Sequence, residues 1–156
     1  MIGRAEVERQ KQKLDATFQR AAGVQGEAEL LSDFARHLCV LVSGFLEQAV
    51  VELVLEHVRV HSHRSIQRHV ERRLRRFTNA KANRLLELLG SFDPDWRTRL
   101  ENYLIDEHKD AIDGIVNLRN AISHGQFVGV TMTRVQDYYG RVKEVVDHIA
   151  DLCVPR

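Results

Sequence analysis

The chain has 156 residues, 44% hydrophobic and 29% charged, with a formal net charge of +1. That length and balance predict a single domain, 1–156, with a core of its own, and argue against two domains or a disordered chain. So small a net charge excludes attraction to nucleic acid by overall field, so any such contact must come from a local patch.

No apolar run is read as approaching the ~20 residues of a membrane span. Met1–Arg20 is charged throughout and lacks the apolar centre of a secretory signal. Cys39 and Cys153 lie far apart, the first inside an apolar helical run, and fit a reduced, cytoplasmic pair better than a disulfide framework or zinc site. No membrane contact and no cofactor is expected.

The period of the apolar residues is helical throughout and no alternating strand stands out. A first helix is expected over about 4–22, with Val7, Leu14 and Phe18 as a thin stripe, broken by Gly23–Gly26. The second and longest covers about 28–60. Leu31, Phe34, Leu38, Leu41, Phe45 and Ala49 form one apolar face and Val40, Val51, Val54 and Val58 another, the pattern of a central bundle helix. A third covers about 65–77, with Ile66, Val70, Leu74 and Phe77 inward. Asn79 is expected to cap a fourth over about 80–89, ended by Gly90. Asp93-Pro94 opens a fifth, with Asp at the N-cap and Pro at the first helical position. A sixth covers about 106–123, stopped by Gly125. A seventh begins near Thr131 or Thr133, with Val135, Tyr139, Val142, Val146 and Ile149 on one face. The expected fold class is all-α, a bundle of six to seven helices, with 1–26 as N-terminal helix and loop and 28–152 as core.

The sixth helix closes on Leu118-Arg119-Asn120-Ala121-Ile122-Ser123-His124-Gly125. At about 100° per residue, Arg119 falls inside the apolar sector of Ile112, Ile115, Val116, Leu118 and Ile122. Asn120 falls at the edge of that sector, and His124 one turn further along the same ridge. One reading is structural: Arg119 in an ion pair and His124 as a helix-end group, where the helix dipole favours a cation. The other is catalytic. A guanidinium stays charged at working pH and an imidazole titrates near neutrality, so the pair can stabilise a phosphoryl oxyanion and move a proton. Metal-free RNA cleavage needs a base for the ribose 2′-hydroxyl, an acid for the leaving 5′-oxygen and cations for the phosphate. One Arg and one His are few for that. A two-fold dimer through this helix would place two pairs in one groove and would continue the apolar face around Arg119 into the partner.

The motif resembles the Arg, four to six residues, His signature of the HEPN superfamily. Leu41-Val42-Ser43-Gly44-Phe45-Leu46-Glu47, Phe77-Thr78-Asn79, Leu88-Leu89-Gly90-Ser91-Phe92 and Trp96 are similar to its RiboL-PSP branch, so the likeness covers about 38–146. The resemblance implies a HEPN-like helical bundle that dimerises with motifs facing, and metal-independent endoribonuclease activity leaving 2′,3′-cyclic phosphate ends. It implies roles as toxins or anti-phage effectors, with an antitoxin or defence-system partner. Arg119 and His124 match the catalytic pair and Asn120 the variable polar position. Members that keep the fold without activity leave two alternatives: an inactive RNA- or protein-binding module, or a regulatory subunit.

Glu47, with Ser43 one turn before it, sits among Val40, Val51 and Val54, where an acid wants a cation. It either pairs with or orients Arg119, or bonds elsewhere as a structural group. Arg64, Arg68, Arg72 and Arg76 recur every four residues on the third helix, joined by Arg73, Arg75, Lys81 and Arg84. The ridge is either a track for an RNA phosphate backbone or a solvated face, and no interleaved aromatics favour base stacking. His57, His61 and His63 lack the further ligands of a metal site. Trp96, Tyr138 and Tyr139 read as core or interface aromatics.

Overall fold

The computed structural model describes residues 2–126 and 128–156; Met1, the first residue of the expected domain, lies outside them. Seven helices follow in order: α1 (Ile2–Ala22), α2 (Ala28–His61), α3 (Arg64–Leu74), α4 (Ala82–Phe92), α5 (Pro94–Tyr103), α6 (Asp106–Ser123) and α7 (Met132–Cys153). No strand occurs among the described residues.

The 34-residue α2 is the axis of the bundle and touches α1, α3, α6 and α7. Leu38, Val42, Leu46, Val50, Leu53 and Val54 are almost wholly out of contact with solvent, because neighbours cover α2 on more than one side. Of its second expected face, Val54 and Val58 are buried but Val40 is 39% exposed. By length and apolarity alone α2 could cross a bilayer, which corrects the reading that no run comes near that length. Most of its apolar window is instead buried inside the bundle, the place of a core helix.

Polar ties fix how the outer helices sit. The Gly3 backbone N–H donates to the buried Glu56 carboxylate (3.2 Å), anchoring the start of α1 on α2. Phe18 of α1 stacks on Tyr139 of α7, with 4.5 Å between centroids, and Phe45 of α2 meets that ring edge-on. The Tyr139 hydroxyl donates to Asp15 (2.6 Å), which also takes Lys143 (3.1 Å). Burial and the Asp15 carboxylate push the Tyr139 hydroxyl well above the ordinary tyrosine range. Cys39 and Cys153 are free and buried, their thiols pushed up to about 11 and about 12 by burial, so both stay protonated at neutral pH.

Three local expectations change. Ile66 is 53% exposed rather than inward, and α3 ends at Leu74, leaving Phe77 in the turn beyond it. Asn79 is not a cap: its φ of +55° puts it in a left-handed turn, and α4 starts at Ala82. The Ala82 N–H is taken instead by Asp113 of α6 (2.9 Å). Gly90 lies within α4, which runs on to Phe92. The stop comes from Asp93, held extended (φ −155°, ψ 119°) ahead of Pro94, where a helical conformation would clash with the proline ring. The Asp93 side chain caps α5 by accepting from the Asp95 N–H (2.8 Å), as expected.

His57 and His148 carry a pH-dependent part of the stability. Burial lowers the pKa of each below the ordinary histidine value, helped by the charge of His61 beside His57 and of His108 near His148, and opposed at His148 by its hydrogen bond to the Arg99 backbone. His148 stacks on Tyr103, and its Nε2 is buried without a partner. The unfolded chain therefore binds protons that the folded one refuses as pH drops below about 6.5. Their contribution is complete above that value and is lost as pH falls toward the lowered folded pKa values. Melting curves between about pH 7 and about pH 5 should show Tm falling more steeply for the wild type than for His148→Gln.

Candidate active site

The last turn of α6 carries the motif and ends as its sequence requires. His124 is the C-cap residue, its N–H donating to the Asn120 carbonyl (3.0 Å). Gly125 follows at φ +72°, the left-handed region that costs an L side chain about 1–2 kcal/mol. Gly125 N–H donates to Ile122 O (3.1 Å) and Gln126 N–H to Ala121 O (3.0 Å), the paired bonds of a Schellman stop. This closure fixes where the His124 backbone stands. A Cβ at Gly125 would meet open space, so Gly125→Ala carries only the conformational cost. It should lower stability by about 1 kcal/mol in denaturant titrations and lower any activity that depends on His124.

Arg119 is half-buried beside Ile115 and Val116, which are fully buried. Its Nη1 donates to the Asn120 Oδ1 (3.3 Å), which ties the guanidinium to the neighbouring amide. Among the described residues no carboxylate pairs with Arg119, and His124 is exposed. The structural reading of Arg119 as one half of an ion pair therefore lacks its other half. A half-buried cation held in place and left uncompensated is suited to an anion brought from outside.

Glu47 does not pair with Arg119, contrary to one of the two expectations. Its Oε1 accepts from the Asn79 N–H (3.1 Å) and the Thr78 hydroxyl (3.3 Å), holding the turn between α3 and α4. The left-handed backbone at Asn79 presents that N–H, which a sequence reading cannot foresee. Ser43 is buried on α2, one turn before Glu47. Asp113 of α6 holds the start of α4 just beyond this turn, while Arg36, earlier on α2, donates to the Val128 carbonyl beyond the end of α6 (3.5 Å). α2 and α6 pack against each other. On the first half of α2, Val40 is exposed and Gly44 faces open space.

Where α6 meets α7, Tyr138 lies so close to Gly114 that a Cβ there would stand 2.8 Å from its hydroxyl. Arg134 donates to that hydroxyl (3.1 Å). The four arginines of the basic ridge, Arg64, Arg68, Arg72 and Arg76, are all exposed and, among the described residues, none is in an ion pair. Thr78 and Asn79, just past the ridge, return to Glu47 on α2. His57 stacks on His61 (4.3 Å) and meets Trp96 edge-on, and no group of three metal-ligating side chains occurs among the described residues.

Searches of curated proteins and of solved structures returned no match. The sequence model of the RiboL-PSP-HEPN family, in contrast, matches residues 5–154, nearly the whole helical bundle from α1 to the end of α7. The chain belongs to the RiboL-PSP-HEPN family of the HEPN superfamily.

Proposed function

We propose that the protein is a metal-independent endoribonuclease whose active site forms when two copies bring their α6 ends together. The observation that carries this reading is Arg119: half-buried, hydrogen-bonded to Asn120, without a carboxylate partner among the described residues, and five residues before an exposed His124. Membership of a family generally associated with RNase activity or RNA binding supports it.

The chemistry follows from the residues. The ribose 2′-hydroxyl attacks the adjacent phosphorus and loses its proton to a base, and the P–O5′ bond breaks as an acid protonates the 5′-oxygen. The products are a 2′,3′-cyclic phosphate and a 5′-hydroxyl. An Arg119 guanidinium takes the charge that builds on the phosphoryl oxygens. Two His124 imidazoles, one from each copy, divide the base and acid roles. Their titrations are coupled across the groove and belong to the pair rather than to either ring. Each chain offers half of this set, which is why the dimer is part of the mechanism. In this reading the protein acts in the cytoplasm as a toxin or anti-phage effector, restrained by an antitoxin or defence-system partner.

The test is cleavage of structured and unstructured RNA in EDTA, with the ends analysed for cyclic phosphate, across a protein dilution series. Activity per chain should fall as the dimer dissociates. An EDTA-sensitive cut, or full activity in a monomer, would refute the reading, and no cut on any RNA would favour a binding module. The α3 ridge serves as a phosphate track in the same scheme. Charge reversal at Arg68 and Arg72 should weaken RNA binding about tenfold or more and flatten its salt dependence, with the helical circular dichroism unchanged.

A further inference from the structure

A cleft of about 830 Å³ opens between α3 and α4, lined by no residue of the motif. Its floor is apolar: Val70, Leu74 and Phe77 from the α3 side, Leu88 and Phe92 from α4. Its rim is cationic, with Arg72, Arg73, Arg76 and Arg84 facing a single acid, Glu87. None of these four arginines is in an ion pair among the described residues, and Arg84 lies over the Phe77 ring, 5.9 Å from its centroid. The apolar strip also continues out of the cleft. Ile66, one turn before Val70, is 53% exposed, so α3 presents a stripe at four-residue spacing that the bundle covers fully at Leu74, in part at Val70 and not at Ile66.

Arginines beside such a strip lay their stems along it and leave their charges free. The matching occupant is apolar along one face and acidic along its flanks. RNA fits this floor poorly. Val70, Leu74 and Leu88 offer no flat surface for a base, Arg84 covers a face of Phe77, and Phe92 is engaged with Trp96. A helix that places side chains every third and fourth residue into a groove between two helices fits it well.

We propose that the α3–α4 cleft is a docking site for an acidic amphipathic helical segment of a protein partner. Its apolar side chains lie on Val70, Leu74 and Leu88, and its carboxylates meet Arg73, Arg76 and Arg84. Because Arg72 and Arg76 also belong to the ridge assigned to RNA, the docked segment competes with RNA for them and would regulate access to the motif.

The probe is a labelled synthetic helix with leucines at the a and d positions of successive heptads and glutamates beside them, compared by fluorescence anisotropy with a scrambled peptide of identical composition. The full-length protein should bind the ordered peptide at least about tenfold more tightly than the scrambled one. Ile66→Asp, at an exposed position, and Arg73→Glu/Arg84→Glu should each remove most of that preference without changing the circular dichroism. Equal binding of the two peptides, or a preference untouched by both variants, would overturn the proposal. So would a single-stranded RNA whose affinity falls as much with Ile66→Asp as with Arg84→Glu, because the apolar strip would then be a nucleic-acid seat. None of these readouts needs the protein to cleave RNA, so failure of the nuclease reading leaves the proposal separately testable.

Discussion

Arg119→Ala and His124→Ala should each lower RNA cleavage by about 10²-fold or more, while both variants keep the wild-type helical content and melting cooperativity. For His124 the separation is clean. The side chain is exposed, and its contribution to the helix end is a backbone N–H that alanine keeps. For Arg119 the hydrogen bond that alanine removes is a 3.3 Å contact to its neighbour Asn120, so the structural loss is small beside the electrostatic one. Arg119→Lys retains the charge but not the planar fork that can grip two phosphoryl oxygens, and should recover only part of the rate. Asn120→Ala should fall between wild type and Arg119→Ala, since it releases the guanidinium without removing it. Single-turnover rates at saturating protein separate these effects from dimer dissociation. If both alanine variants cleave at the wild-type rate, the pair is structural and the site lies elsewhere.

The second large effect is on stability. Leu53→Ala, in the middle of α2, should cost about 2–5 kcal/mol, or roughly 5–15 °C in Tm at this chain length. Leu53 is completely buried at the bundle axis, where neighbouring helices hold the cavity open rather than collapsing into it. Ile66→Ala removes a residue of similar size from a surface position and should change stability by less than about 0.5 kcal/mol. Urea titrations of the two variants give the contrast. A loss for Leu53→Ala no larger than for Ile66→Ala would show that α2 is not the mechanical centre of the fold.

Several helix ends with a local determinant were readable, though the stop of α4 at Asp93-Pro94 was misplaced to Gly90. Asp93-Pro94 starts α5, Gly125 stops α6 and Thr131 caps α7 by accepting from the Arg134 N–H, because each effect needs only a few neighbouring residues. The start of α4 was not readable, since its cap is Asp113, 31 positions away on α6. The same holds for Glu47. Its place among valines called for a cation, but the turn at Thr78 and Asn79 supplies two hydrogen-bond donors first. The cleft between α3 and α4 was half legible. The arginines and the apolar repeat of α3 stand in the sequence, but the facing wall of Leu88 and Phe92 comes from a separate helix.

The sequence by itself determined the all-helical class, the central role of α2 and the Arg119–His124 spacing at a helix end, because helical periodicity and capping are set by neighbours within a turn or two. Only the tertiary structure decided that Arg119 has no carboxylate partner among the described residues, that Glu47 is spent on a turn, and that α3 leaves part of an apolar strip exposed at Ile66. Those outcomes depend on which surfaces meet when the helices pack, and a chain's local pattern does not say which of its equally apolar faces will find a neighbour.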